Sequence, residues 1–306
     1  MYDLIIVGGG PAGLTAAVYA IRKRLNVLMI SRDLGGKTNY RLALPWIEQY
    51  QVINGLEVVN KFRNELEYLD FARRMEPVDR VCRLDDGFAV TTRAGEDLFA
   101  RTVILATGAR QQRLDVPGEK EYMMRGLCYS ALSYAPLFID RTTVVIGDGE
   151  LALRSTAELA TIARRVYLVC SGTREASREA LYSPLGKKLR QAENVTILEG
   201  YSVLRVNGDE YARTISLIDP TGQDTEISAD AFFVEKHLIP NSQMVADLIN
   251  VDQDGRIEVD CAARTSMPGV FAAGDVTDSY AEQVLVAVGE GAKAALSAYE
   301  YLLPDL

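Results

Sequence analysis

The chain opens on an unbroken apolar run, Leu4-Ile5-Ile6-Val7, which stops at Gly8-Gly9-Gly10 and resumes from Pro11 to Ile21 with apolar residues at helical spacing. A short apolar run closed by glycine predicts a strand buried on both faces, and the 3.6-residue recurrence behind it predicts an amphipathic helix. The same design returns at Thr142 to Ala160, where Val144-Val145-Ile146 runs into Gly147-Asp148-Gly149. Each helix is followed by another apolar run, Asn26–Ile30 and Arg165–Val169. Two such units predict two βαβ starts and an α/β fold with mostly parallel sheets. Between them, Gly87–Thr92 and Asp97–Leu105 read as strands joined by the turn Ala94-Gly95-Glu96. Breaks at Val116-Pro117-Gly118 and Ile239-Pro240-Asn241 predict domain boundaries, and a last helix is expected over about Ala281–Leu302.

Length and charge narrow the function. At 306 residues the chain has room for two cored domains. With 33 basic against 42 acidic side chains it carries a net charge of −9, so nucleic-acid binding is not expected. No apolar run is long enough for a transmembrane helix. The first residues read as a buried strand rather than a targeting signal, and a cytoplasmic location is the expectation. The four cysteines, Cys82, Cys128, Cys170 and Cys261, form no Cys-x-x-Cys pair, and with one histidine, His237, no metal site is expected. His237 reads as interdomain packing rather than catalysis.

The candidate chemistry lies at the glycine turns. Gly8, Gly10 and Gly13, with Pro11 and Ala12 between them, fit G-x-G-x-x-G between a strand and a helix. Gly8 permits the turn, Gly10 the approach of a pyrophosphate, and Gly13 the packing of helix on strand. Where an acidic residue often closes the second strand, the chain has Ser31, with Asp33 two positions on. The second turn, Gly147 and Gly149 with Ala152, fits G-x-G-x-x-A, but Asp148 and Glu150 put negative charge where phosphates would sit.

Two further segments, Val103 to Ala109 with Thr107-Gly108, and Gly269 to Asp275 with Gly274-Asp275, complete an ordered set. Together they resemble the low-molecular-weight thioredoxin reductase family over nearly the whole chain. The resemblance implies two Rossmann-like dinucleotide-binding domains, the second inserted into the first. An FAD domain would be built from 1–112 and 240–306, and an NAD(P)-type domain from 113–239. It also implies FAD as cofactor and a homodimer. Gly35-Gly36 resembles the family's loop beside the flavin, with Lys37 in place of its usual glutamine. Gln283 and Val284 resemble the segment that opens the last helix under the flavin, with Glu282 in place of its arginine. Asp275 corresponds to the residue that bonds the flavin ribityl chain.

The chain departs from the family where its usual activity resides. Ser130 and Ser133 stand at the two cysteines of the redox dithiol, and Tyr134 at the following aspartate. The paired arginines that grip an NADPH 2′-phosphate are absent, with Arg174 and Arg178 as the nearest substitutes. Cys128 and Tyr134 are the catalytic candidates. Cys128 is either close to the flavin, paired with another cysteine, or a small buried residue; Tyr129 and Tyr134 either stack on the flavin or pack in the core. The expected function is an FAD-dependent oxidoreductase whose donor or acceptor is not NADPH or thioredoxin. A ferredoxin-like protein, a second flavin in the inserted domain or a cysteine outside the motif would take that role. The second site would then hold NAD(P)H, a second FAD or nothing. A ferredoxin–NADP reductase-like enzyme and a non-catalytic flavin-binding sensor are the alternatives.

Overall fold

A computed structural model describes residues 1–47, 55–69, 72–171 and 175–305, the side chains at 132 and 175–178 excepted. These divide into two compact units: Met1–Asn39, Ile53–Arg110 and Ile239–Leu306 form the first, Tyr40–Val52 and Gln111–Leu238 the second.

In the first unit β1 (Tyr2–Val7) leads through the glycine turn into helix α1 (Pro11–Arg22), and then come β2 (Val27–Ile30), α2 (Leu56–Glu67), β3 (Arg73–Arg74), β4 (Val78–Leu84), β5 (Gly87–Thr92) and β6 (Asp97–Leu105). They form one sheet in the order β3-β2-β1-β6-β5-β4, and the returning strand Val270–Ala272 also pairs with β6. β1 runs parallel to both β2 and β6, while β4 and β5 form an antiparallel hairpin. The period of two explains why β1 is apolar throughout. Leu4 and Ile6 pack on α1 and the last helix, Val284–Leu302, while Ile5 and Val7 pack on the opposite face with Val90 and Val270. Proline at the first helical position of α1 suits the start of a helix, where no amide partner is available.

The second unit contains β7 (Leu127–Cys128), β8 (Thr142–Ile146), α3 (Glu150–Ala160), β9 (Arg165–Cys170) and β10 (Val195–Glu199). An antiparallel sheet follows, β11 (Ser202–Gly208), β12 (Ala212–Ile218) and β13 (Asp224–Ser228), and then β14 (Ala231–Val234). The five parallel strands are ordered β10-β9-β8-β14-β7, so the C-terminal ends of β8, β14 and β7 lie side by side.

One segment departs from the expected boundaries. The described part of this segment, from Tyr40 to Ile47, expected with the first domain, groups with the second unit. Its apolar side chains decide this. Leu42 and Leu44 are buried in the second unit's core with Phe138 and Phe233. Trp46 stands edge-on to Phe138 at 5.8 Å, and the Arg141 guanidinium lies 4.3 Å from the Trp46 ring centre.

Phe138 is fully buried and meets Trp46 and Phe233, the latter at 5.0 Å. Phe138→Ala is expected to destabilise the second unit by about 3–5 kcal/mol. Urea unfolding followed by the fluorescence of Trp46, the one tryptophan of the chain, measures it. An unchanged midpoint would mean that this cluster does not hold the segment in place.

Candidate functional site

The first site forms where β1 ends. The Gly8 amide donates to the Ile30 carbonyl over 2.8 Å, and its φ of +115° is open to glycine but not to a side-chain-bearing residue. A Cβ on Gly13 would strike the Gly8 carbonyl oxygen, so strand and helix meet backbone to backbone. Gly10 differs: it is the N-cap of α1, no side chain caps the helix there, and a Cβ would meet nothing within 4 Å. The first turn of α1 also holds no acidic residue. The helix therefore presents the positive end of its dipole to open ground, an arrangement suited to an anion.

Loops close around this turn. The Gly35 amide donates to the Gly9 carbonyl over 2.7 Å. Asp33 accepts from the Gly36 amide over 2.9 Å, and the Ser31 hydroxyl donates to the Asp33 carbonyl over 2.7 Å. Thr107 donates through its hydroxyl to the Asn241 carbonyl over 2.8 Å, and the Asn241 amide donates to the Gly108 carbonyl over 2.9 Å. Thr107 thus braces the loop, leaving Gly108 facing open space. Gly274 packs on Ala12, and its amide donates to Glu290 over 2.7 Å. Asp275 forms an ion pair with Lys37 at 2.8 Å. Gln283 is the N-cap of the last helix, which starts at Val284. Every first-site residue expected from the sequence lies in the first unit, on loops at the ends of its parallel strands and the heads of two helices.

The second turn has the same backbone plan with different charges. A Cβ on Gly147 would strike the Glu235 carbonyl, Ala152 is buried, and Gly149, with φ +113°, faces open space. Asp148 accepts from both the amide and the hydroxyl of Ser171, each at 2.8 Å, just beyond the end of β9. Glu150 occupies the first turn of α3 and pairs with Arg154 at 2.6 Å. The Cys170 thiol registers this field: burial, then the charges of Asp148 and Glu199, push it up to about 12, with Arg190 opposing. Arg174 lies outside the described residues, as does the side chain of Arg178.

Ser130 and Ser133 come together, with the Ser130 hydroxyl donating to the Ser133 oxygen over 2.9 Å. Ser130 holds φ +146°, a conformation costing on the order of 1–3 kcal/mol, so its surroundings must impose it. The buried Glu235, directly after β14, accepts from the Ala131 amide over 2.5 Å, and Cys128 before it is fixed by β7 pairing with Phe233. The catalytic candidates do not stand out as reactive groups. Cys128 is fully buried in the second unit's core, and burial, then the Glu235 charge, holds its thiol well above the ordinary value. All four cysteines, Cys128 among them, are free in this structure. Tyr134 is buried in the same core, and Tyr129 donates its hydroxyl to the buried carboxylate of Glu119 over 2.6 Å. Within the second unit, Cys128 and Tyr134 pack in the core and Tyr129 is held by Glu119.

A model of the pyridine nucleotide-disulphide oxidoreductase family matches residues 2–291. This chain belongs to that family. It is 32% identical to the thioredoxin reductase of Streptococcus pyogenes MGAS5005, each chain covered over 99%, with a TM-score of 0.87. The thioredoxin reductase of Giardia duodenalis gives 27% identity, 99% coverage of both chains and a TM-score of 0.86. Among curated relatives, it is 32% identical over 304 residues to a component of the alkyl hydroperoxide reductase of Staphylococcus aureus MSSA476. It is 31% identical over 305 residues to an NADH dehydrogenase of Bacillus subtilis 168. These matches take in 99% of this chain but 59% of either curated relative, so the chain spans about three fifths of their length.

The family binds FAD and NAD(P)H, and the chain has the fold of its thioredoxin reductase-like members. The open, uncapped head of α1 fits the pyrophosphate of FAD. The second turn repeats the backbone plan of a dinucleotide site, with the carboxylates of Asp148 and Glu150 beside it, held by Ser171 and Arg154 respectively. Among the described residues, no helix is long and apolar enough to cross a membrane, and no cluster of metal-ligating side chains occurs. Sequence inspection missed Glu235, Glu290 and Asn241. Glu235 carried a signal, being an acidic residue at the end of an apolar parallel strand, where α/β folds place their ligands.

Thiol titration of the native protein with a disulfide reagent tests the placement of Cys128. The exposed Cys261 should react first, the partly covered Cys82 more slowly, and Cys128 and Cys170 only on unfolding. A Cys128 that labels in the folded holoprotein would restore it as a redox candidate.

Proposed function

We propose that this chain moves electrons through FAD without a protein dithiol at Ser130–Ser133, using a donor or acceptor other than NADPH and thioredoxin. The hydroxyl pair at 2.9 Å carries this reading. It occupies the loop where the family has its two cysteines, and hydroxyls have no disulfide state to accept an electron pair. FAD supplies the electron-transfer chemistry when bound, and the protein positions it and tunes it.

In this reading FAD lies along Gly8, Gly10, Pro11, Ala12 and Gly13, with Gly35, Gly36, Thr107, Gly108, Gly274, Asp275, Gln283 and Val284 around it. The parts 1–112 and 240–306 form its domain, less the segment from Tyr40, which packs with the second unit. The inserted domain, 113–239, takes a second dinucleotide at Gly147, Gly149 and Ala152. A homodimer, a redox-protein partner and a cytoplasmic location belong to the same reading on the strength of the resemblance.

A specific observation favours NADH as the donor. The Asp148 carboxylate is held against Ser171 beside the strand end where the adenosine ribose of a dinucleotide lies. A carboxylate there suits a ribose diol and repels a 2′-phosphate. The B. subtilis relative is named an NADH dehydrogenase.

Anaerobic addition of each nucleotide, followed by dithionite, decides between donors through the long-wavelength flavin absorbance. Bleaching by NADH alone is the expected result. Rapid bleaching by NADPH would overturn the reading in favour of a ferredoxin–NADP reductase-like enzyme. Bleaching by dithionite alone would point to a protein donor or a second flavin.

Gly10→Ala tests the FAD placement separately. Its Cβ meets no protein atom within 4 Å, so the apoprotein should lose no more than about 1 kcal/mol of stability. FAD retention on gel filtration should fall sharply. A variant that keeps its full complement of flavin would move the pyrophosphate elsewhere.

A further inference from the structure

Two positions beside the first turn depart from the family together: Lys37 replaces its glutamine, and Glu282 its arginine. The structure connects them. Lys37 Nζ lies 2.8 Å from Asp275 Oδ2, tying the loop after β2 to the loop after the strand Val270–Ala272. The Asp275 carboxylate is the more sheltered partner of the pair. Glu282 directly precedes Gln283, the N-cap of the last helix in the same unit, and it feels the charges of both Asp275 and Lys37. Crowding by protein and then the charge of Asp275 raise its carboxyl, while Lys37 and Arg256 pull it down. Arg256 also has a carboxylate beside it, Asp254 at 3.8 Å. A positive charge is therefore carried by the loop before α2, and a negative one by the lead-in to the last helix, the reverse of a neutral-and-cationic pairing. Without Lys37, the charges of Asp275 and Glu282 would oppose each other, with Arg256 left as the cation acting on Glu282.

We propose that Lys37 is a positioning residue for the flavin: its ammonium holds the Asp275 carboxylate toward the FAD ribityl chain and, against Glu282, sets the charge beside the bound flavin. This rests on the FAD placement proposed above. Adding two electrons and one proton to FAD leaves it one negative charge richer, so a nearby cation favours the reduced form and a nearby carboxylate opposes it. Affinity and reduction potential should therefore both respond to position 37, and potential should respond to position 282 with opposite sign.

The test uses the full chain carrying Lys37→Gln, Glu282→Gln or Lys37→Arg. Apoprotein is titrated with FAD by flavin fluorescence, and the potential is read by equilibration with a reference dye, electrons coming from a xanthine and xanthine oxidase system. Lys37→Gln should weaken FAD binding about tenfold, as for the loss of a charge-assisted contact, and make the potential more negative. Glu282→Gln should make it more positive, and Lys37→Arg should keep the wild-type potential. Equal potentials in all three, or shifts of the same sign in the two glutamine variants, would overturn the proposal even if thermal stability changed. A wild-type apoprotein that takes up no FAD would overturn the site itself, whereas normal uptake with an unmoved potential would overturn only the role of Lys37.

Discussion

The backbone-to-backbone contact at the head of α1 is the constraint on which the first unit depends. A methyl group on Gly13 would strike the Gly8 carbonyl, one on Gly8 the Ala106 carbonyl, and one on Gly291 the Ala12 carbonyl. Two strand ends and two helices are thus locked at distances no side chain permits. The alanines between α1 and the last helix, Ala16, Ala17 and Ala20 against Ala294, Ala295 and Ala298, extend that close approach along the helices. The same tightness makes the site rigid. With no side chain between the helix and the strand ends, the turn presents peptide backbone and the positive end of a helix, neither of which can turn away.

This explains which features were legible in the sequence. A fully buried parallel strand has to be apolar on both faces, and close packing has to use glycine, so β1, its turn and α1 are written in consecutive residues. The β8–α3 unit is legible for the same reason. The segment from Tyr40 to Ile47 is not, because it has no periodicity of its own. Its place is decided by Phe138 and Arg141, about ninety residues away in sequence. Glu290 is a similar case, an unremarkable acid in a helix until the fold brings the Gly274 amide to it.

Ser130 and Ser133 separate the shape of a redox loop from its chemistry. A strained φ persists when the surroundings over-determine it. Here the Glu235 bond to Ala131, the pairing of Cys128 with Phe233 and the serine–serine bond supply the determination, and none of them requires sulfur. A fold that holds this turn with backbone and carboxylate contacts can keep the loop after the thiols are gone. Retention of the loop therefore carries no argument for retention of the dithiol reaction.

The two glycine turns make the same point for nucleotides. Gly10 and Gly149 both face open space at the head of a helix. The first turn of α1 has no carboxylate, so an incoming phosphate meets an unsatisfied positive end. The first turn of α3 carries Glu150, and Asp148 stands before it, so that helix end already has negative charge of its own. A ligand pyrophosphate there shares the helix end with the Glu150 carboxylate, which Arg154 pairs. Turn geometry makes dinucleotide binding sterically feasible in both units. The placement of a few charges then distinguishes the turns, which is why Lys37, Glu282, Asp148 and Glu150 bear more on the proposed electron path than the glycines do.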